Sequence, residues 1–475
     1  MTGPVRHQPA PVRRQPAPAR RWLAELAWSP ALGLRQDVLI EAEEGRLVSV
    51  TPDAASGPGG AVRLRGLTLP GLANAHSHAF HRALRGVTQA SRGTFWTWRE
   101  RMYEVAGRLD PDSYLALATA VYAEMALAGV SCVGEFHYLH HGPDGTRYAD
   151  PNQMGRVLIE AAALAGIRIT LLDTCYLSGG LAADGRALRL AGPQLRFGDA
   201  GGAAGWAGRV DALRPDANGA LAPHARAGAA IHSVRAVPPD QMPEVAAWAH
   251  RYGAPLHAHL SEQVAENRAC LAAYGATPAQ VLGDAGALGP RSTAVHATHL
   301  TAADIGLLGD FRCHACFCPT TEADLADGIG PAAALAAAGS PLTLGSDSHA
   351  VIDLLEEARR VELGERLASQ ERGHFTAAEL AGAATATGHA SLGWPEAGQL
   401  AAGGLADFVT VALDSPRTAG ARPATALESV VFAASAADVR NLVVGGRDVV
   451  IDGRHQLVAD PSAALSAAIA AVLPG

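Results

Sequence analysis

The chain has 475 residues, of which 48% are hydrophobic, and its formal net charge is −8. This length and apolar content allow a large buried core and a second, smaller domain. The negative charge excludes a basic nucleic-acid-binding face, and no apolar stretch reaches the roughly 20 residues of a membrane span. The six cysteines lie mostly in apolar runs, which is typical of reduced thiols in the cytoplasm. These features are ordinary for a cytoplasmic enzyme.

All 38 basic residues are arginines, because the chain contains no lysine. This absence excludes Schiff-base chemistry, a Walker phosphate-binding loop, and a pair of metal ions bridged by a carbamylated lysine. Any anion that is held by a charged side chain must therefore be held by arginine or by protonated histidine.

The two ends of the chain differ from its middle. Residues 1–21 are rich in Pro, Arg, Ala and Gln without an apolar core, and they predict a disordered tail rather than a secretory signal. Residues 22–66 carry period-two strand patterns, such as Asp37–Ala42, and similar patterns with glycine turns recur in residues 396–475. We interpret these two flanks as parts of one small β-sandwich domain built from both termini.

Between the flanks, residues 67–395 alternate short apolar runs with helix-period runs. Eight such units predict an α/β fold, a (β/α)8 barrel of the TIM type. The stretch Ser178–Gly228 interrupts the rhythm and predicts a long loop over the barrel mouth, with a lid and disorder both open. The predicted strands are Leu67–Ala75, Val130–Phe136, Ile167–Cys175, Ala229–Val237, Pro255–Leu260, Thr293–Thr298, His314–Cys318 and Pro341–Gly345.

Histidines and an aspartate follow several of these strands. His76 and His78 end the first strand one residue apart, so the alternation of side chains places both imidazoles on one side of it. His259 ends the fifth strand, His296 lies on the sixth and Asp347 ends the eighth. A barrel brings these strand ends to the one face where barrel enzymes keep their active sites. Nitrogen donors with one carboxylate and an open position are typical of a catalytic divalent-metal site.

This pattern resembles the mononuclear deaminase branch of the amidohydrolase superfamily, and five segments narrow the resemblance to the formimidoylglutamate deiminases. These segments are Asn74–Ala83, Thr94–Glu100, Glu135–His141, His232–Val237 and Pro319–Gly328. The resemblance runs from about Trp22 to the end of the chain. It implies an amidohydrolase-type barrel that deiminates N-formimidoyl-L-glutamate with one zinc ion, as a cytoplasmic homodimer of histidine degradation.

The resemblance also implies a role for each candidate residue. The implied zinc ligands are His76, His78, His259 and Asp347. The implied catalytic residues are Glu262 as proton shuttle, His296, which would polarise the bound water, and Asp347. Zinc lowers the pKa of its water to about 7, and a carboxylate beside it that binds no metal can carry a proton to departing ammonia.

Five further residues are implied to contact the substrate, which has two carboxylates. They are His81, Arg99, Tyr138, His232 and Arg235. The two arginines suit this chemistry, because a guanidinium binds a carboxylate bidentately. At His81 the family often has glutamine, and this departure leaves substrate affinity and pH dependence open.

Several neighbouring residues have simpler interpretations. His257 alternates with His259 and is expected to face away from the metal, and His299 competes with the favoured His296 as the catalytic histidine. The run Cys313–Cys318 is interpreted as small and apolar rather than as a zinc knot. The roles of three further residues stay open between site and structure: Glu322, Asp327 and His349.

Two rival functions remain open. The first is another mononuclear aminohydrolase that acts on a purine or pterin ring, although two arginines favour an acidic, acyclic substrate. The second is a catalytically inactive barrel that serves as a scaffold, although every expected ligand and Glu262 are present. Measuring ammonia release from N-formimidoyl-L-glutamate and from purines tests the first rival. Metal analysis of the purified protein tests the second.

Overall fold

The computed structural model describes residues 20–54, 59–90, 92–213 and 221–473. The tail predicted for residues 1–21 lies outside this part of the chain, except for Arg20 and Arg21, which begin the first strand. The strands are β1 (Arg20–Ser29), β2 (Gly33–Glu43), β3 (Arg46–Thr51), β4 (Val62–Pro70), β5 (Leu72–Ser77), β6 (Val130–His137), β7 (Arg168–Cys175), β8 (Gly180–Leu181), β9 (Ala187–Leu188), β10 (Ala225–Ile231), β11 (Leu256–Leu260), β12 (Ser292–His296), β13 (His314–Phe317), β14 (Leu342–Leu344), β15 (Phe408–Val411), β16 (Val439–Val444), β17 (Arg447–Ile451) and β18 (Arg454–His455).

The α-helices alternate with the strands of the central part. They are α1 (Phe95–Arg108), α2 (Pro111–Leu127), α3 (Gln153–Ala165), α4 (Gly202–Leu213), α5 (Met242–Tyr252), α6 (Val264–Tyr274), α7 (Pro278–Asp284), α8 (Ala302–Asp310), α9 (Pro319–Asp324), α10 (Ala332–Ala338), α11 (Leu354–Ser369), α12 (Ala377–Gly382), α13 (Gly388–Ser391), α14 (Ala426–Ala433) and α15 (Pro461–Val472). Among the described residues, no helix combines the length and the apolar composition that a membrane span needs.

Eight parallel strands form a barrel in the order β5, β6, β7, β10, β11, β12, β13 and β14. The last strand returns to the first where Ser77 pairs with Asp347, and the amide of Asp347 donates to the carbonyl of His76 at 3.0 Å. The strands are almost entirely buried, because side chains fill the barrel interior and helices cover its outer face. The predicted (β/α)8 barrel is confirmed.

Two strands have bounds that differ from the prediction by more than two residues. The predicted strand Leu67–Ala75 is divided at Gly71, whose amide donates to the carbonyl of Asp407. A Cβ at Gly71 would lie 2.3 Å from Oγ of Ser131, so glycine lets the chain pass closely from β4 to β5. The predicted strand Ala229–Val237 corresponds to β10, which begins and ends earlier, at Ala225 and Ile231. It ends there because the following residues form a turn, in which the amide of Val237 donates to the carbonyl of Ser233.

The two termini build one small β domain, as the alternating patterns predicted. Its eight strands form a mixed sheet in the order β18, β17, β16, β15, β4, β1, β2 and β3. The sheet curls, because its edge strand β3 approaches the segment before β15. There the amide of Leu47 on β3 donates to the carbonyl of Gly404. The curl encloses a separate apolar core around Trp22, Ile40 and Phe408.

A buried ion pair joins this domain to the barrel. Arg168 on β7 binds both carboxylate oxygens of Asp407 at 2.6 and 3.0 Å. Asp407 also accepts a hydrogen bond from the amide of Gly445, so one carboxylate ties three segments together. The domain is therefore joined to the barrel at the start of β7.

The stretch Ser178–Gly228 contains a short hairpin of β8 and β9, the helix α4 and the first half of β10. Residues 214–220 of this stretch lie outside the described part of the chain. The hairpin is held by Ser178, whose amide donates to the carbonyl of Ala236 at 2.8 Å. Gly180, Leu181 and Leu188 of the hairpin line a cavity at the barrel mouth, which is where the long loop was predicted to lie.

Candidate active site

His76 and His78 lie side by side where β5 ends, with ring centroids 4.8 Å apart. The buried carboxylate of Glu135 on β6 fixes this segment, because it accepts hydrogen bonds from Oγ of Ser77 and from the amide of Ala79, both at 2.7 Å. Glu135 lies in one of the family-like segments of the sequence, but no role was predicted for it. Its position two residues before a His, on the strand next to the histidine pair, was the available signal.

The structure brings the four predicted metal ligands together. Oδ1 of Asp347 lies 3.3 Å from Nε2 of His76 and 3.4 Å from Nε2 of His78. Nε2 of His259 lies 3.1 Å from Nε2 of His76. All four side chains are buried, and separations of this size are those between ligands that share one ion.

The protonation of these groups suits a divalent metal. Nδ1 of His78 donates to the carbonyl of Phe136 at 2.9 Å, which directs the lone pair of Nε2 toward Asp347. Burial lowers the pKa of His76, of His259 and of His78, the last to about 3. Neutral imidazoles with one carboxylate form the donor set that zinc prefers in catalytic sites. The residues present therefore fit one such ion.

Some of the residues with a positive φ lie at the same place. Asp347 has φ 43°, and His296 and Ala297 have φ 69° and 49°. Residues with a Cβ rarely adopt these values, and strain of this kind persists where the surrounding structure imposes it. Asp347 and His296 therefore keep an uncommon backbone conformation beside the histidine cluster.

His296 and Glu262 face each other beside the ligands. Nε2 of His296 lies 3.8 Å from Oε1 of Glu262 and 4.0 Å from Oδ2 of Asp347. Burial lowers the pKa of His296, but Glu262, Glu322 and Asp347 outweigh burial and raise it well above its ordinary value. A bound cation would oppose this rise.

Glu322 lies behind His296. Its Oε1 accepts from the amide of Cys318 at 2.9 Å and lies 3.4 Å from Nδ1 of His296. The sequence left Glu322 open between a substrate contact and a turn, and the structure shows instead that it pairs with the candidate catalytic histidine. Asp327 is hydrogen-bonded to Gln263, and burial, followed by the charge of Glu262, raises its pKa to about 8.

The two predicted substrate arginines line the same cavity. Arg235 lies after β10, and its Nη2 is 3.1 Å from Oε2 of Glu262. Arg99 on α1 donates through Nε to the hydroxyl of Tyr103 at 2.7 Å and lies over the ring of Trp96. The position of Arg99 is therefore compatible with a substrate contact and also with a role in stacking on an aromatic ring.

The cavity has a volume of about 190 Å³ and opens at the C-terminal ends of the strands. His81 and Tyr138 share a hydrogen bond of 2.9 Å in its wall, and His232 lies beside His259 with ring centroids 5.0 Å apart. A larger groove of about 790 Å³ lies outside the barrel along α9 and α11, where apolar side chains predominate. The smaller cavity is the candidate active site, because most of the histidine–aspartate cluster and Glu262 line it.

Other histidines noted in the sequence lie outside the cluster. His257 pairs through Nε2 with the carbonyl of Ser391 at 3.1 Å, which is the packing role that was expected. His299 is half-buried in the loop after β12. His349 contacts the hydroxyls of Ser77 and Ser346, so it supports the histidine pair from behind.

A second histidine group lies behind the cavity but does not suit a metal. His137, His140 and Asp173 offer ligand atoms within 4.8 Å of one another. However, both oxygens of Asp173 accept hydrogen bonds from Arg209 at 2.8 Å. A guanidinium in that position neutralises the carboxylate and occupies its lone pairs, so this group is an internal ion-pair network.

Comparison with known proteins agrees with this geometry. The amidohydrolase family profile matches residues 67–449. Formimidoylglutamate deiminase of Pseudomonas aeruginosa is 38% identical over 426 residues, which cover 87% of this chain and 90% of that protein. 8-Oxoguanine deaminase of the same organism is 33% identical over 419 residues, with coverage of 86% and 88%. The crystal structure of an amidohydrolase from Brucella melitensis matches with a TM-score of 0.87 and 32% identity over 96% of this chain and 100% of that one. The chain therefore belongs to the amidohydrolase family.

Proposed function

We propose that this protein hydrolyses N-formimidoyl-L-glutamate to N-formyl-L-glutamate and ammonia. The observation that supports this most directly is the pair Arg99 and Arg235 in one small cavity with the histidine–aspartate cluster. The substrate carries two carboxylates and one amidine, and the cavity offers two guanidinium groups and one candidate hydrolytic centre. The 38% identity to a formimidoylglutamate deiminase also favours this substrate.

The proposed metal is a single zinc ion held by His76, His78, His259 and Asp347. When bound, such an ion acts as a Lewis acid that makes water acidic enough to be deprotonated near neutral pH. The remaining steps belong to the side chains around it.

Glu262 is the proposed general acid and base. It accepts a proton from the water that adds to the formimidoyl carbon, and it returns protons to the departing nitrogen. Addition gives a tetrahedral carbon that bears a hydroxyl and an amino group, and its collapse releases ammonia and leaves the formyl group. His296, 3.8 Å from Glu262, orients the water during addition.

Charged and hydrogen-bonding side chains hold the substrate in this proposal. Arg235 and Arg99 each bind one carboxylate, because a guanidinium matches two carboxylate oxygens. Tyr138, His81 and His232 line the cavity between the arginines and the ligands and complete the hydrogen bonding. Burial lowers the pKa of His81 and His232, so both act as neutral imidazoles.

One specific observation favours a second candidate, the deamination of an oxidised purine. Trp98, Tyr138, Tyr176 and Phe197 line the cavity, and aromatic rings of this kind can stack on a base. The 33% identity to 8-oxoguanine deaminase points the same way. Two arginines are better matched to carboxylates than to a neutral purine, so we rank this candidate second.

The test is ammonia release by the zinc-loaded protein from N-formimidoyl-L-glutamate, 8-oxoguanine and guanine in parallel. We expect release from the first compound only, and no release from it would refute the proposal. Arg235→Ala should raise KM for the first compound by about 10–100-fold, the loss of one charge-assisted carboxylate contact. An unchanged KM would refute the carboxylate role of Arg235.

We also propose that the protein works as a cytoplasmic homodimer. All six cysteines are free and buried, which supports a reducing compartment. The dimer rests on the family resemblance, and light scattering of the purified protein tests it directly. A mass near 48.8 kDa, that of one chain, would refute it.

A further inference from the structure

Glu266 is a buried carboxylate close to the cavity that sequence analysis did not single out. It lies in the first turn of α6, and solvent reaches none of its side chain (0%). Its Oε1 accepts from the amide of Ser261 at 3.3 Å, and its Oε2 lies 3.2 Å from Nε of Arg235. Burial of a carboxylate is costly unless a partner compensates it, and Arg235 is the cation in contact with it.

The guanidinium of Arg235 lies between two carboxylates. Nε lies 3.2 Å from Oε2 of Glu266 in an ion pair that lacks hydrogen-bond geometry, and Nη2 donates to Oε2 of Glu262 at 3.1 Å. Nη1 has no hydrogen-bond partner among the described residues, and the side chain lines the cavity. The N–H groups of Nη1 and the second N–H of Nη2 are therefore the donors that remain for a ligand.

We propose that Glu266 is a positioning residue that holds the guanidinium of Arg235 in the orientation that binds a substrate carboxylate. This inference rests on the proposed function, because it takes the ligand of Arg235 to be a carboxylate of N-formimidoyl-L-glutamate. Glu266 acts through Arg235, since it is absent from the residues that line the cavity.

The physical reason is the number of contacts that fix a planar group. With Glu262 alone as its partner, the guanidinium can rotate about its last side-chain bonds and pair more closely with Glu262. That movement takes donors away from the ligand. A second carboxylate beside Nε opposes the movement, because rotation of the guanidinium away from it would leave the buried charge of Glu266 without its cation.

The variant Glu266→Gln tests this positioning. Glutamine keeps the size of the side chain and an oxygen for the amide of Ser261, but it removes the charge opposite Nε. We expect KM for N-formimidoyl-L-glutamate to rise about tenfold while kcat stays within about threefold, because the loss affects a binding contact. The control is Glu244→Gln, an exposed glutamate in the first turn of α5, which should leave both constants unchanged.

A double-mutant cycle separates positioning from a merely structural role. If Glu266 acts through Arg235, Glu266→Gln should change KM less than twofold in an Arg235→Ala background. An equal tenfold rise in both backgrounds would overturn the inference, because it would show an effect that does not pass through Arg235.

Two further results complete the test. Wild-type protein that releases no ammonia from N-formimidoyl-L-glutamate refutes the proposed function, whereas active wild type with an unchanged KM in Glu266→Gln refutes only the role of Glu266. If circular dichroism shows that Glu266→Gln is unfolded, Glu266→Asp replaces it. Aspartate keeps the charge but withdraws it by one methylene, so a rise of about threefold in KM is expected, and an unchanged KM overturns the inference.

Discussion

Replacing Glu322 by alanine should slow turnover without weakening substrate binding. Its Oε1 lies 3.4 Å from Nδ1 of His296, and both side chains are buried. A hydrogen bond to a charged group contributes about 1.5–3 kcal/mol, so its loss corresponds to a fall in kcat of about 10–100-fold. KM should change less than threefold, because Glu322 does not line the cavity that contains Arg99 and Arg235. Steady-state ammonia release measures both constants.

A matched control separates this effect from damage to α9. Glu357 on α11 is buried like Glu322, and it accepts a hydrogen bond from the amide of Thr320 on α9. It does not contact His296. Glu357→Gln should therefore lower the melting temperature but leave kcat nearly unchanged. Glu322→Gln, whose amide oxygen can still accept from His296, should retain more activity than the alanine variant. Equal kcat values for wild type and Glu322→Ala would refute the reasoning.

Further predictions follow from the same contacts. Glu262→Gln should keep one metal per chain by elemental analysis but lower kcat at least 10²-fold, about the contribution of a general base; normal turnover would contradict its role. A chelator should abolish activity, and zinc should restore it; activity that survives complete metal removal would contradict the metal site. Arg209→Ala should cost about 3–5 kcal/mol in unfolding free energy, because it leaves Asp173 and Asp199 buried without their cation; denaturant titration measures this. Burial opposes the shift, but Arg209 keeps the pKa of Asp173 below its ordinary value, so the contribution is present above about pH 4. It is lost as pH falls through the folded pKa, and the difference between wild type and variant should fade there.

Much of the fold could be predicted because burial leaves a periodic record in the sequence. Parallel barrel strands are covered on both faces, so β6, β7 and β11 appear as short segments rich in apolar residues between helix-period segments. The junction at Gly71 could not be predicted in the same way. The predicted strand Leu67–Ala75 is one run in the sequence, and its division between the two sheets appears only in the folded chain, where Gly71 passes close to Ser131.

The candidate ligands were visible because their chemistry is tied to strand ends. His76 and His78 are two residues apart, and a barrel places every C-terminal strand end on one face. The contacts of the carboxylates around them could not be predicted, although Glu322 was noted as a residue whose role was open. Glu135, Glu266 and Glu322 are ordinary charged residues in the sequence, and their burial beside Ser77, Arg235 and His296 appears only in the folded chain.

The sequence by itself determined the barrel, the absence of lysine, and the residue types that could bind a metal and an anion. Only the tertiary structure decided which carboxylate contacts which cation, because such partners can lie far apart in the chain, 239 residues in the case of Arg168 and Asp407. Local patterns record which face of an element is buried, whereas pairing between elements depends on distances that no local pattern encodes. For that reason the orientation of Arg235 and His296 emerged from packing, while their presence near the strand ends was already evident from the chain.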